Sequence, residues 1–199
     1  LATYIKPDGI YLRITAKARE ETEARHMIAQ RGAAIQKILA PYIWGTDDDT
    51  LDSVVGTLLK VNKLSLATME SFTDGLLSNT IASSLESSAY FKGGLITCCD
   101  EAKTAFSVDF YVMESFGKES SQVAEAMAEA ARQNLGADIG MGISGAMNPC
   151  GKAGNIFIGL NSDKFKRTIA HNFPGNRLRI KQRAVYAALF ELRKTLRGA

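Results

Sequence analysis

From residue 51 onward, short apolar segments alternate with amphipathic segments, and this alternation constrains the fold more than any other feature of the chain. The clearest helix is predicted over 121–135, where four apolar residues share one face: Val123, Met127, Ala130 and Ala131. Gly136 follows at the position where helices commonly end in a left-handed glycine. The other segments predict helices over 51–61, 73–81 and 177–196, and strands over 64–68, 93–99, 139–143 and 155–160. Strands separated by helices are typical of a layered α/β domain.

Residues 1–50 follow a different pattern, which predicts a small α+β module. A strand is predicted over 9–15, where Ile10, Leu12 and Ile14 lie on one face. Helical spacing follows over 20–39 with a break near Gly32, and a short strand is predicted over 42–44. The predicted order is therefore strand, one or two helices, strand. The module ends at an acidic turn, in which either of two residues could cap the next helix, Asp49 or Thr50.

Composition excludes several classes of partner. The net charge is only +3, from 24 Lys and Arg against 21 Asp and Glu, so a nucleic-acid partner is not favoured. No apolar run is long enough to cross a membrane.

The cysteines and histidines indicate the compartment and the absence of a metal. There are three cysteines, Cys98, Cys99 and Cys150. Because the number is odd and two of them are adjacent, they favour reduced thiols and a cytoplasmic protein. Because His26 and His171 stand alone, we expect no metal and no cofactor. The chain begins at Leu1, which indicates a fragment or a processed chain.

Three glycine-containing segments resemble ligand-binding loops without meeting their physical requirements. Residues 140–145 spell G-x-G-x-x-G, but Pro149 opposes the helix that would receive a pyrophosphate. Residues 150–153 differ by one position from the spacing of a phosphate-binding loop, and Ala153 has no hydroxyl for a magnesium ion. Residues 31–34 lack the second glycine of the loop with which KH domains clamp RNA. None of the three therefore predicts a nucleotide or RNA site.

Ser71 lies between a predicted strand and a predicted helix, which allows two interpretations. Its hydroxyl could be exposed at a turn, close to free N–H groups of the helix N-terminus that would stabilise an oxyanion or a phosphate. Alternatively, Ser71 could be the N-cap of that helix, a role that contributes on the order of 1 kcal/mol. Spacing alone favours the cap over the nucleophile.

Five segments, taken together and in order, resemble the CinA C-terminal domain family (competence/damage-inducible protein). Residues 69–77 are similar to the family's A-E-S-C-T-G-G-L-L, and residues 87–103 are similar to S-S-A-Y-F-x-G-G-x-x-x-Y-S-N-E-A-K. The remaining segments follow in the family's order, at 123–128, 143–145 and 173–177. The resemblance implies a three-layer α/β/α domain with a mixed sheet over 51–199. Residues 1–50 are similar to the KH-like module that precedes this domain in full-length members.

Active members of the family are nicotinamide-nucleotide amidohydrolases, which convert nicotinamide mononucleotide to nicotinate mononucleotide and ammonia with a serine/lysine pair. The resemblance implies catalytic roles for Ser71 as nucleophile, Lys103 as its lysine and Ser144 as a further hydroxyl. It implies substrate-binding roles for four other residues, Thr73, Gly75, Gly145 and Arg177, of which the arginine could bind phosphate. A lysine activates a serine only where burial or nearby positive charge favours the neutral amine, and Lys103 follows an apolar strand. The resemblance also implies self-association.

This sequence departs from the family pattern around the expected site. Asp74 replaces a glycine, Cys98 replaces a tyrosine, and Phe72 replaces a cysteine. The glycine-rich loop after Gly145 is several residues shorter than expected. A carboxylate beside an oxyanion or phosphate site opposes the charge that such a site binds. We therefore keep two hypotheses, an amidohydrolase and a catalytically degenerate domain that binds nucleotides or serves in assembly. A nucleic-acid role for the KH-like module is a third, less favoured one.

Overall fold

A computed structural model describes residues 1–198, and Ala199, the last residue of the expected domain 51–199, lies outside the described residues. The chain divides into one unit of residues Leu1–Asp49 and a second that begins at Thr50. In the first unit, strands β1 (Ala2–Lys6) and β2 (Gly9–Arg13) form an antiparallel hairpin. Helix α1 (Glu21–Leu39) follows. The strand predicted over 9–15 and the helix over 20–39 thus have counterparts, whereas β1 was not predicted.

Two predictions in the first unit are wrong. Gly32 lies inside an uninterrupted α1, because a single glycine costs about 1 kcal/mol relative to alanine and does not break a helix of 19 residues. Residues 42–44 form no strand, since the N–H groups of Tyr42 and Ile43 instead donate to the carbonyl oxygen of Leu39, at 2.8 and 3.1 Å. These bonds continue the chain as a turn from the end of α1.

The second unit contains a five-stranded mixed sheet in the order β4-β3-β5-β6-β7. Strands β4, β3 and β5 are parallel, whereas β5, β6 and β7 are antiparallel. The bounds are β3 (Leu66–Glu70), β4 (Phe91–Ile96), β5 (Ile139–Met147), β6 (Ala153–Ser162) and β7 (Lys166–Pro174). Strand β7 was not predicted, because it is an edge strand with mostly exposed, polar residues and no continuous apolar face.

Helices cover both faces of this sheet. Their bounds are α2 (Leu51–Val61), α3 (Leu76–Ala82), α4 (Asp100–Ala105), α5 (Phe110–Phe116), α6 (Ser121–Leu135) and α7 (Arg177–Gly198). On β6, a side-chain position at Gly159 would meet Ala124 of α6, whereas one at Gly154 would meet Ile180 of α7. Because these two glycines are an odd number of positions apart on one strand, α6 and α7 lie on opposite faces. The predicted three-layer α/β/α domain with a mixed sheet is confirmed.

Local patterns in the sequence determine how two of these helices begin and end. Thr50 caps α2, with its side chain accepting from the N–H of Ser53 while the Ser53 side chain accepts from the N–H of Thr50. Asp49 has a different role, since its carboxylate accepts from the N–H of Thr46 at 2.9 Å. Helix α6 ends at Gly136, which is left-handed as predicted (φ 58°). By contrast, the helix predicted over 73–81 begins only at Leu76.

The glycines at 140 and 142 have a structural role that accounts for their spacing. Both are on the face of β5 that packs against α6, and an added Cβ would lie 1.8 Å from the carbonyl oxygen of Ala128 at Gly140 and 2.3 Å from that of Ala124 at Gly142. No side chain fits between these backbones. The first two glycines of the G-x-G-x-x-G pattern therefore reflect close packing of a helix on a strand.

We expect Gly140→Ala to lower the free energy of unfolding by about 3 kcal/mol, because the new methyl group meets backbone atoms of α6 that cannot rotate away. Chemical denaturation of the purified variant measures this change. Gly136→Ala is the matched control: its Cβ would meet nothing within 4 Å, so only the left-handed backbone opposes it, at about 1 kcal/mol. Equal losses in the two variants would contradict the crowding argument.

Candidate active site

The carboxyl ends of β3 and β4, and the point in β5 where its parallel pairing with β3 ends, bring the predicted catalytic residues to one edge of the sheet. Ser71 directly follows β3, and its N–H donates to the carbonyl oxygen of Ile143 in β5 at 3.0 Å. Ser144 is the next residue of β5. On the other side of β3, the N–H of Thr97 donates to the carbonyl oxygen of Glu70 at 2.8 Å, and the chain then enters α4, which carries Lys103. Such an edge is where ligands bind in open α/β sheets.

Ser71 is half-buried and belongs to the turn 71–75 between β3 and α3. The helix-cap interpretation is wrong, because the N-cap of α3 is Gly75, with φ 89°. Within residues 1–198, the Ser71 hydroxyl makes no hydrogen bond, and none joins it to Lys103 Nζ. The side chain thus has no capping role in this fold.

Glu70, the residue before Ser71, is a fully buried carboxylate that holds the turn and the start of α3. It accepts hydrogen bonds from the Thr73 hydroxyl at 2.6 Å, from the N–H of Leu77 at 3.0 Å and from the N–H and hydroxyl of Ser78 at 2.8 and 2.5 Å. The expectation that the N–H groups of this helix N-terminus are free for an anion is therefore wrong. Thr73, expected to bind substrate, is itself buried and its hydroxyl donates to Glu70.

The turn itself keeps N–H groups available. Within the described part of the chain, the N–H groups of residues 72–75 donate to no carbonyl or side chain. They follow Ser71 directly, at positions where a tetrahedral oxyanion formed on the serine would need donors. The candidate oxyanion site is thus the turn and not the end of the helix.

Lys103 is buried, with 2% of the residue exposed, which exceeds the partial burial expected from the sequence. Its Nζ lies 3.4 Å from Asp100 Oδ1, and the other carboxylate oxygen of Asp100 lies 2.5 Å from Lys118 Nζ. The hydroxyl of Ser144, also fully buried, donates to the carbonyl oxygen of Lys118 at 3.4 Å. Asp100 and Lys118 therefore connect two of the predicted catalytic residues, Lys103 and Ser144.

Lys118 lowers the pKa of Asp100 below its usual value of 3.8, first by a side-chain hydrogen bond and then, with Lys103, by charge. A carboxyl group with a lowered folded-state pKa stabilises the fold above its unfolded pKa and loses that contribution as the pH falls through the folded value. Asp100→Asn should thus lower the free energy of unfolding at pH 7 by at least about 1 kcal/mol, since Lys118 is exposed but Lys103, the other cation beside this carboxylate, is buried. The difference should shrink as the pH falls below the unfolded pKa of about 3.9 and through the lower folded value. Urea unfolding of both proteins at pH 7 and at decreasing pH below 4 measures it, and a difference that does not change with pH would refute this role.

Asp74, the replacement for a glycine, pairs with two cations of α7. Its Oδ2 accepts a hydrogen bond from Lys181 Nζ and lies 3.8 Å from a guanidinium nitrogen of Arg177. The Arg177 guanidinium also lies over the Phe72 ring, 5.1 Å from its centroid. Cys98, the replacement for a tyrosine, has its Sγ 4.0 Å from the other oxygen of Asp74. The three departures thus lie together, around the arginine expected to bind substrate.

The shortened loop after Gly145 is a tight hairpin. Strand β5 continues through Gly145 to Met147, β6 begins at Ala153, and the side chain of Asn148 accepts from the N–H groups of Lys152 and Ala153 at 3.1 and 3.2 Å. Gly145 is therefore a buried strand residue, where an added Cβ would lie 2.6 Å from the carbonyl oxygen of Asn155. The tip reaches the start of α7, since the N–H of Gly175 donates to the carbonyl oxygen of Lys152 at 2.8 Å.

Sequence reasoning missed four residues of this site: Glu70, Asp100, Lys118 and Lys181. Signals for two of them were present, because Asp100 is three positions before Lys103 in one helix and Lys181 is four after Arg177 in another, which places each pair on one helix face. The burial of Glu70 had no local signal. Neither did the contact of Lys118 with Asp100, which depends on how α4 meets the segment before α6.

Three further features of the described residues concern metal ions, thiols and membranes. In residues 1–198 no group of three or more His, Cys, Asp or Glu side chains is placed to hold a metal ion. Cys98, Cys99 and Cys150 are free and exposed. Among the helices described, none has the length and apolar character needed to cross a membrane. The candidate site is the polar cluster at the sheet edge, on the strength of the contacts described above.

Comparison with known proteins decides the family. The family model for the CinA C-terminal domain matches residues 48–196, and the model for the damage-inducible protein CinA KH domain matches residues 1–45. The chain belongs to the CinA family. The resemblance found in the sequence is thus confirmed for the C-terminal domain, and the first unit matches the KH domain of CinA proteins.

Relatives and solved structures agree with this assignment. A putative competence-damage inducible protein of Moorella thermoacetica is 39% identical over 100% of this chain, and one of Lactiplantibacillus plantarum is 36% identical over 98%. These matches cover 49% and 48% of the two relatives, so the chain spans about half their length. The crystal structure of a competence or damage-inducible protein from Enterobacter asburiae has a TM-score of 0.68 and 27% identity, covering 75% of this chain and 99% of that one.

Proposed function

We propose that this CinA-family chain hydrolyses the carboxamide of nicotinamide mononucleotide, giving nicotinate mononucleotide and ammonia. The observation that carries the proposal is the convergence at one sheet edge of Ser71, whose hydroxyl has no partner in residues 1–198, and the buried Lys103 and Ser144. A serine, a lysine and free backbone N–H groups at one edge of the sheet are the groups that an acyl-transfer site needs. The proposed reaction uses no metal and no cofactor.

In the proposed reaction, the Ser71 oxygen attacks the carboxamide carbon while Lys103 takes the hydroxyl proton, with Ser144 as a relay. Negative charge then develops on the amide oxygen, where the N–H groups of the turn 72–75 would donate to it. Collapse of this intermediate breaks the C–N bond, and the proton returned from the lysine leaves with the nitrogen as ammonia. Water then attacks the acyl-serine in the same way, which releases the carboxylate and restores Ser71.

Arg177 and Lys181 support a substrate that carries phosphate. Both are on the first two turns of α7, and both reach Asp74 in the turn that follows Ser71. A guanidinium and an ammonium side by side suit a phosphate dianion, which can pair with each. In this proposal they bind the phosphate of the mononucleotide while its carboxamide reaches Ser71.

Incubating the purified chain with nicotinamide mononucleotide tests the proposal. We expect ammonia and nicotinate mononucleotide to appear in equal amounts, measured by a coupled ammonia assay and by chromatography. The Enterobacter asburiae protein serves as a family comparison in the same buffer. Release of ammonia by that protein and none by this chain would overturn the proposal.

A degenerate domain that binds nucleotide without turnover is the second candidate, and specific contacts favour it. Lys103 Nζ contacts the Asp100 carboxylate, and Arg177 contacts the Asp74 carboxylate, so two expected functional cations are already paired. Binding of nicotinamide mononucleotide in calorimetry without ammonia release would support this candidate over the amidohydrolase.

A further inference from the structure

The contacts of Asp74 suggest more than a structural role. The first reason is the difference in exposure between the Asp74 carboxylate and its partner Lys181. Its carboxylate is 40% exposed, whereas Lys181, its closest partner, is only 17% exposed. The carboxylate is therefore accessible to solvent, whereas most of the lysine side chain is covered. Asp74 is also in the turn that contains Ser71, so a substrate at the serine would meet these charges.

The backbone of Asp74 gives a second reason. Its φ of 52° is left-handed, a conformation that glycine adopts freely and aspartate tolerates better than most residues. The glycine of the family pattern would keep this turn without contributing a charge. The carboxylate is thus not needed to form the turn, and its effect is on the two cations.

A third reason is that two residues that differ from the family pattern contact the same arginine. Phe72 lies under the Arg177 guanidinium, and Asp74 lies 3.8 Å from one of its nitrogens. A cysteine and a glycine at these positions could form neither a cation–π contact nor an ion pair. This chain therefore holds Arg177 through contacts that its family pattern lacks.

We propose that Asp74 is a specificity-determining residue that acts as an internal counterion, competing with a substrate phosphate for Arg177 and Lys181. A phosphorylated ligand must displace or share this carboxylate, whereas the corresponding nucleoside, which has the same ring but no phosphate, need not. Asp74 thus reduces the preference of the site for the nucleotide over the nucleoside. The choice of these two substrates rests on the proposed function, whereas the competition for the cations does not.

The test compares the wild-type chain with Asp74→Asn, because asparagine tolerates the same left-handed backbone and removes only the charge. We expect the ratio of kcat/KM for nicotinamide mononucleotide to that for nicotinamide riboside to rise roughly 10-fold, as expected when two partly exposed ion pairs no longer compete. Glu86→Gln is the matched control: it removes a carboxylate that pairs with Lys60, and it should leave the ratio unchanged. An unchanged ratio in Asp74→Asn would overturn the proposal.

Binding of inorganic phosphate, measured by calorimetry at low ionic strength, keeps the test independent of turnover. Asp74→Asn should bind phosphate roughly 10-fold more tightly than the wild type, and adding Lys181→Gln should abolish that gain. If neither substrate is hydrolysed, the proposed function fails while this measurement still decides the role of Asp74. If Asp74→Asn does not fold, Asp74→Gly replaces it, since glycine favours this φ. Equal phosphate affinity with a lower melting temperature would show that Asp74 only ties α7 to the turn.

Discussion

Ser71→Ala is expected to lower kcat for ammonia release from nicotinamide mononucleotide by at least about 10³-fold, because Ser71 is the proposed nucleophile that forms the acyl intermediate. The buried Lys103 beside this edge should be equally necessary, and Lys103→Met should give a loss of the same order. Since residues that act as one unit lose activity together, the double variant should be scarcely slower than either single one.

Thermal melting separates this chemical effect from a structural one. Within residues 1–198 the Ser71 hydroxyl has no hydrogen bond, so its removal should leave the melting temperature nearly unchanged. Ser84→Ala is the matched control, a half-buried serine outside the site. It should retain full activity. Turnover that persists in Ser71→Ala would show that this serine is not the nucleophile, whatever the activity of the control.

Glu70→Ala should give the largest loss of stability, about 4 kcal/mol, which corresponds to a melting temperature lower by roughly 8–16 °C. The carboxylate is fully buried and accepts from the N–H groups of Leu77 and Ser78 and from two hydroxyls. Removing it leaves these donors without partners in a buried place, which costs more than the loss of the bonds themselves. Differential scanning calorimetry measures the change.

Two further variants show whether the charge or the shape of Glu70 matters. Glu70→Gln keeps the volume but offers one acceptor oxygen, so we expect an intermediate loss of about 2 kcal/mol. Glu86→Ala removes an exposed glutamate and should change stability by less than about 0.5 kcal/mol. A loss below about 1 kcal/mol in Glu70→Ala would mean that the carboxylate does not hold the turn.

Much of the fold could be predicted because its signals are local. Helices α2 and α6 begin and end where the periodicity predicts, and Thr50 and Gly136 have the roles expected from their positions. The order of the motifs along the chain also points to the CinA family without any knowledge of tertiary contacts. By contrast, β7 has no apolar face of its own, and the short helices α4 and α5 span too few turns for a period to be recognised.

The candidate site could be predicted only as a set of residues. The sequence by itself determined which chemical groups are available, because Ser71, Lys103, Ser144 and Arg177 follow from motif order. The tertiary structure alone decided what those groups contact. Lys181 contacts Asp74, from which it is separated by 107 positions in the chain. Glu70 accepts hydrogen bonds from N–H groups that were expected from the sequence to be free for an anion. The physical reason is that periodicity and capping depend on neighbours within a few residues of the chain. Which cation Asp74 meets depends instead on how α7 and the turn pack around the sheet edge.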